Sequence, residues 1–279
     1  MSSTINTNMA SLTAQRALGS TQGSLKTSME RLSTGLRINS AKDDSAGLAI
    51  AERMTSQVKG MAVASRNAND AISLAQTAEG SLGKIGESLQ RMRELAVQSS
   101  NSTNSSSDRA NLDEEYQALA AEVTRVIGGT KFNGNSLLNA SATDMAFQVG
   151  ADNTATDAIT VSLTDISAGT GMAAAITGAA ANITSAANAL ATMSNLDAAI
   201  DEVTSARSNL GSVQNRFESV VANLSTTSEN LQAARGRIMD ADFAVETSNM
   251  SRAQVLQQAG NAMLAQANQA PQQVMSLLR

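Results

Sequence analysis

The sequence predicts a mainly α protein: a long antiparallel helical bundle with coiled-coil packing, paired terminal helices and a small β-hairpin region. Three observations lead there. Apolar residues recur every seventh position at Leu196, Val203, Leu210, Phe217, Leu224, Leu231 and Ile238, which keeps one narrow helix face apolar and matches a coiled-coil seam. The 279 residues contain a single proline, Pro271, so almost nothing interrupts a helix. Aromatics are nearly absent, with one Tyr, four Phe and no Trp. Small side chains suit close packing of long, thin helices better than one compact globule.

In chain order, residues 1–36 carry Ile5, Met9 and Leu12, then Leu18, Leu25, Met29, Leu32 and Leu36, with Arg16 the only charge before Lys26. Such a helix is weak alone and needs partners on more than one side. Residues 35–47, rich in turn formers, form a connector. A second helix is expected from about Asp44 to Ser99, on Met54, Val58, Met61, Ala68, Ile72, Ala75, Leu82, Ile85, Leu89, Met92 and Ala96. Asn101 to Ser107 breaks that pattern. Ser107 or Asp108 then caps a third helix from about Arg109 to Ile127, which Gly128 and Gly129 stop.

Residues 131–139, containing Asn133-Gly134, read as a turn or irregular segment. Met145, Phe147 and Val149 alternate, as do Ile159, Val161 and Leu163, so two short strands are expected to pair as a hairpin. Gly169 to Ala191 is of low complexity; Ile176, Ile183 and Leu190 fall seven apart there, so it partly continues into the long seam helix. That helix holds Arg207, Gln214, Ser228 and Arg235 on its other heptad position, with Gly211 inside it. Its seam is therefore expected to pack on helices of the same chain rather than to form a dry dimer zipper. From Thr247 to Leu278 the only charge is Arg252, among Val255, Leu256, Met263, Leu264, Val274, Met275, Leu277 and Leu278 at helical spacings. Both termini fit either frayed tails or helices that order on assembly, and the apolar spacing favours the second.

The missing chemistry narrows the function. A net charge of -5 without a basic cluster gives no nucleic-acid surface. With no His and no Cys there is no imidazole base, no thiolate and no soft-metal site, and no cofactor or catalytic residue is expected. Asp43-Asp44 and Asp113-Glu114-Glu115 point to different helix faces, and Gly128-Gly129-Thr130-Lys131 lacks the order of a phosphate loop. Asp240-Ala241-Asp242 and Asp108-Arg109 read as caps or surface charges. Residues 1–19 have neither the basic start nor the apolar core of a secretory signal, and no window reaches membrane-spanning length, so membrane insertion is not expected. The Ser and Thr residues between Thr154 and Thr192 fit O-linked glycans or plain solvent-facing polarity.

Specific runs lie towards both ends: Ile5-Asn6-Thr7-Asn8, Glu30-Arg31-Leu32-Ser33-Thr34-Gly35-Leu36-Arg37-Ile38-Asn39, Ser65-Arg66-Asn67-Ala68-Asn69-Asp70 and Leu89-Gln90-Arg91-Met92-Arg93-Glu94-Leu95. Towards the C-terminus come Ala234-Arg235-Gly236-Arg237-Ile238-Met239-Asp240-Ala241-Asp242-Phe243-Ala244 and Gln257-Gln258-Ala259-Gly260-Asn261. Together they resemble bacterial flagellin. The resemblance implies a secreted structural subunit that self-assembles into the extracellular flagellar filament for motility, exported without a cleaved signal. A hook-filament junction protein or another coiled-coil binding protein is the alternative. It implies an inner terminal-helix domain of residues 1–43 plus 240–279, and a surrounding helical domain of residues 44–239 with a short variable β and loop region near 130–191. Other copies of the chain, an export chaperone, and cap and junction proteins are the implied partners. It further implies recognition of the monomer by Toll-like receptor 5 through Arg91, Leu95 and Glu115, with Leu95 as an apolar anchor; Met92 departs from the family's more usual Val.

Overall fold

The computed structural model of the chain describes residues 7–152, 154–178 and 181–277. It is mainly α, in the order α1 (Met9–Thr34), α2 (Ser45–Ser100), α3 (Ser106–Gly129), β1 (Lys131–Phe132), β2 (Asn135–Ser136), β3 (Met145–Gln148), β4 (Ala158–Val161), α4 (Thr170–Ile176), α5 (Ala186–Met239) and α6 (Phe243–Leu277). The expected stripe positions Ile5 and Leu278 lie outside the described residues, as do the side chains of Val274, Met275 and Leu277. Two compact units are present, Met1–Ser56 with Glu229–Arg279, and Gln57–Ser228.

In the second unit, α2 buries Ala64, Ala68, Ala71, Ala75, Ala78, Leu82, Ile85, Leu89, Met92, Ala96 and Ser99, in alternating steps of four and three. From α5 come Ala189, Thr192, Leu196, Ala199, Val203, Leu210 and Phe217, and from α3 Tyr116, Ala120, Val123 and Ile127. Surface ion pairs Arg93 to Asp197 and Arg207 to Glu79 fix α2 and α5 as antiparallel. The α5 seam is thus buried from Leu196 to Phe217, but Leu224, Leu231 and Ile238 are only half-buried. Phe147 of β3 covers Phe217 edge-on, with ring centroids 5.9 Å apart. Beyond that cover, Leu224 lines an open cleft with Gln57, Met61 and Val220. The second heptad position also differs from expectation. Arg207 lies outside the seam, paired with Glu79 at 2.7 Å, while Ile200 and Val221 at its heptad position and Ala199, Ala206, Val213 and Val220 one step before it all join the apolar cluster.

The expected hairpin forms from β3 and β4, with Met145 opposite Val161 and Phe147 opposite Ile159. A second, shorter hairpin joins β1 and β2 where an irregular segment is expected. Its turn needs two consecutive positive φ angles, +47° at Asn133 and +85° at Gly134, which is the type I′ preference of Asn-Gly. Helix α3 starts earlier than predicted. Its cap is Ser105, whose hydroxyl accepts from the Asp108 N–H while the Asp108 carboxylate accepts from the Ser105 N–H, a capping box; the Ser105 hydroxyl's bond to the Asp108 carboxylate, and then the Ser105 N–H, hold that carboxyl below the usual range. Gly128 and Gly129 sit inside its last turn and Thr130 is the C-cap.

Of residues 169–191, the last six do continue into the seam helix, since α5 begins at Ala186, whereas residues 170–176 form a helix of their own. The reason lies in its two ends. At the first, the Glu202 carboxylate accepts from the N–H groups of Gly171 and Met172 at 2.9 and 3.1 Å; at the second, Tyr116 donates its O–H to the carbonyl of Ala175 at 2.6 Å. Gly171 lies against α5 so closely that a Cβ there would be 2.5 Å from the Ala199 nitrogen. Burial of Tyr116 pushes its phenol far up, so it stays a neutral donor.

Candidate functional site

In the first unit the two terminal helices, α1 and α6, pair antiparallel. Asn8 accepts from the Ser11 N–H as the N-cap of α1, and Gly35 closes its other end at φ +72°, where a side chain would be strained. The connector then turns back: the Arg37 N–H donates to the Met239 carbonyl at 2.6 Å, its guanidinium reaches the Ile238 carbonyl at 2.7 Å, and the Ala241 N–H donates to Gly35 at 2.9 Å. The first two satisfy carbonyls that the end of α5 leaves open, and the third one at the end of α1. Ile38 is buried there with Ala51 and Met239. Asp43 takes bonds from the Ser40 and Asn39 N–H groups and the Ser40 hydroxyl, which hold its carboxyl low. Asp242 caps α6 through the N–H groups of Ala244 and Val245.

The seam of this pair is set by burial rather than by size. On α1 the covered positions are Ser11, Ala14, Leu18, Thr21, Leu25, Ser28 and Leu32; on α6 they include Glu246, Ala253, Gly260, Leu264 and Ala267. Both sets step by threes, fours or sevens. A Cβ on Gly260 would lie 3.3 Å from Leu18 Cδ1, so the absence of a side chain lets the helices close. Near the root of the pair Glu246, 6 % exposed, accepts from the Ser28 hydroxyl and from Arg31, both at 2.9 Å. Burial pushes the Glu246 carboxyl up, but the bonds from Arg31 and Ser28, the Arg31 charge and a bond from Asn249 outweigh it and leave the group low. At the far end Asn8 donates to the Ala267 carbonyl at 2.7 Å and Ser11 to the side-chain oxygen of Asn268 at 2.8 Å. None of these polar seam residues was singled out from sequence. The signal that could have found them is small and polar residues at heptad spacing.

Of the large apolar groups marked from sequence, Leu18, Leu25, Leu32 and Leu264 lie in the seam, and others on these helices face outward. Met9, Leu12 and Met29 on α1, and Phe243, Val245, Val255, Leu256 and Met263 on α6, are exposed, Val255 at 64 % and Met263 at 60 %. Val245, Leu256 and Met263, spaced eleven and seven, fall on one stripe of α6.

Of the three residues tied to receptor recognition, two meet on the surface. Arg91 donates to Glu115 at 2.8 and 3.0 Å and to Glu94 at 2.9 Å, joining α2 to α3, and both carboxylates reinforce its charge. Leu95 is only 1 % exposed and belongs to the core cluster, so as the fold stands it is no surface anchor. Its position explains this. Arg91 turns to α3 and Arg93 to α5, and Met92, Leu95 and Ala96 occupy the arc between. Among the described residues no group of His, Cys, Asp and Glu could hold a metal ion, and no helix is long and apolar enough to cross a membrane.

Fold and faces define a helical subunit with a complete core in one unit and large uncovered apolar faces on the other. Comparison with known proteins agrees on what that subunit is. Residues 5–143 match the bacterial flagellin N-terminal helical region and residues 193–278 the C-terminal helical region. The chain is 47 % identical to a flagellin of Xenorhabdus nematophila over all of both chains, and 46 % identical to a flagellin of Halalkalibacterium halodurans over 99 % of each. Among solved structures, Bacillus cereus flagellin covers 61 % of this chain and 94 % of its own, at a TM-score of 0.51 and 34 % identity. A putative flagellar hook-associated protein from Vibrio parahaemolyticus, at a TM-score of 0.57 but 13 % identity, covers 71 % of this chain and shares the fold. The chain belongs to the bacterial flagellin family, a family of structural proteins, and is a subunit of the flagellar filament rather than of its junction.

Proposed function

We propose that residues 1–43 and 240–279 form the inner domain of the filament and residues 44–239 the domain around it, with the α1–α6 pair as the element that neighbouring subunits complete. The observation that carries this is the uneven cover of the terminal helices: the seam mixes Leu18, Leu25, Leu32 and Leu264 with small and polar residues, and Met9, Leu12, Met29, Val255, Leu256 and Met263 face out. A pair built so gains little from its own seam, at roughly 25 cal/mol per Å² of apolar burial, and gains more when a second copy covers its outer faces. Removal of residues 244–279 is expected to leave soluble, helical protein that forms no filaments by electron microscopy; normal filaments from that truncation would overturn the assignment. On the same reading the chain works outside the cell after passage through the flagellum's own secretion channel, meets an export chaperone and the cap and junction proteins, and catalyses nothing.

A second role rests on the exposed Arg91, Glu94 and Glu115 cluster. Toll-like receptor 5 engages the monomer here, through polar groups that are about half uncovered, with Leu95 supporting them from inside the bundle. Arg91→Ala is expected to weaken receptor binding by about tenfold or more, as an interface arginine does, without loss of helicity. Leu95→Ala should weaken binding only together with thermal stability. Equal binding by wild type and Arg91→Ala would remove this role and leave the filament untouched.

A further inference from the structure

Among the described residues, the polar contacts across the α1–α6 pair lie at its two ends, and the root holds an ion pair whose carboxylate is 8 % exposed, against 39 % or more for the carboxylates of the other pairs. We propose that the Ser28, Arg31 and Glu246 clasp sets the register of the terminal helices, and so selects which outer faces a neighbouring subunit meets. This rests on the assembly reading above.

The rest of the seam specifies register only weakly. Between the clasp and the Asn8 end, α1 offers Ala14, Leu18, Thr21 and Leu25, and α6 offers Ala253, Gly260 and Leu264, residues that repeat in kind from one turn to the next. A slip of one helical turn, roughly 5.4 Å, exchanges one small or aliphatic partner for another and is weakly opposed by packing. The bridge between Leu36 and Asp240 brings the helix ends together, but it lies outside both helices and fixes neither their rotation nor the match of their side chains. Glu246 does discriminate. In register it receives Ser28 and Arg31 at 2.9 Å; slipped by one turn, the carboxylate faces Leu25 or Leu32, loses the Ser28 hydroxyl and the fitted Arg31 contact and keeps only Asn249 of its own helix, so a covered charge is left short of partners and is disfavoured. A single polar group at a seam position is known to fix register in helix pairs at the expense of stability. The consequence for function is geometric. Val245, Leu256 and Met263 share a stripe of α6 beside this seam, and a slip would offset them from Met9 and Leu12 on α1, dividing the composite surface that a second copy covers.

The chain contains no cysteine, so engineered pairs report register without background. Leu18→Cys with Gly260→Cys marks the observed register, and Leu18→Cys with Gln257→Cys or Leu264→Cys marks slips of one turn. Mild oxidation of the full-length chain, before and after filament formation, is read by peptide mass mapping, with denaturing gels separating links within a chain from links between chains. With Glu246 present, the 18–260 link should exceed either slipped link about tenfold. In Glu246→Leu the preference should fall towards equality while helicity is kept or increased, and filament yield should drop. The charge exchange, Arg31→Glu with Glu246→Arg, should restore the preference that each single change abolishes; this arm decides the matter if Glu246→Leu fails to fold. An unchanged link ratio in Glu246→Leu, or no rescue by the exchange, overturns the proposal. Failure of the Glu246 parent to form filaments, seen by electron microscopy of the same samples, would instead count against the assembly reading, because the link ratio in the free chain is read independently.

Discussion

Glu246 shows how one side chain can be both covered and charged. Its folded carboxyl is held low by Arg31 and Ser28 despite its burial, whereas in the unfolded chain it titrates at about 4.3. A group with a lowered folded value stabilises above its unfolded pKa, and the contribution is lost as pH falls through the folded value. Arg252 lines the same groove as Arg31 and Glu246. The α1–α6 pair should therefore be intact at neutral pH and loosen on acidification below the usual carboxylate range. Asp43 and Asp108 are also held low and titrate in the same window, so the informative comparison is with Glu246→Gln. That variant should be weaker than wild type near pH 7 and converge with it in acid, in circular dichroism melts across the pH series. A constant gap at every pH would show that the clasp does not act through this carboxylate.

At the scale of the element, α5 divides at Phe217. Leu196, Val203, Leu210 and Phe217 are enclosed, and Leu224 lies at the edge of an open cleft. Phe217→Ala should lower stability by about 3–5 kcal/mol, the range for a fully buried phenylalanine, whereas Leu224→Ala should lose about 1–2 kcal/mol because much of its area stays wet. Denaturant melts of the two variants check the order, and equal losses would mean that the cleft closes in solution. The sevenfold repeat was legible because large residues mark it, but periodicity alone cannot say where a third layer ends. Leu95 was misplaced for a related reason. A helix that packs on two neighbours buries an arc rather than a stripe, and residues one step off the main register, Leu74 and Leu95, fall inside it. The terminal seam was legible only in part: Leu18, Leu25, Leu32 and Leu264 mark it, but Ser11, Thr21, Ser28, Glu246 and Gly260 carry no hydrophobic signal, and Met9, Met29, Val255 and Met263 have the same periodicity on the outer faces. Asn133-Gly134 marks a turn in the sequence, but the two-residue strands on either side are too short to show an alternation, so the shorter hairpin was not legible.

For the whole molecule, the distribution of methionine distinguishes covered from uncovered surface in a way chemistry can read. Met92 and Met172 are fully buried in the Gln57–Ser228 unit, and Met239 is nearly so in the other. Met9, Met29 and Met263, on α1 and α6, are exposed, Met9 at 63 %. A thioether reached by peroxide gains one oxygen to become a sulfoxide, turning a flexible apolar group into a polar one. In the free subunit Met9, Met29 and Met263 should be oxidised first, and Met92 and Met172 only as the bundle unfolds, on the timescale of global opening. Assembly supplies the second half of the test. If neighbouring copies cover the outer faces of α1 and α6, filaments treated with the same dose should protect Met9 and Met263 relative to free subunits, and subunits oxidised beforehand should polymerise poorly, because a sulfoxide resists leaving water. A variant with Leu at positions 9, 29 and 263 keeps those faces apolar and should polymerise alike with and without peroxide. Peptide mass mapping of free and assembled protein checks each step. Equal oxidation of Met9 and Met263 in both states would show that these faces stay open in the filament, and that subunits join through some other part of the chain.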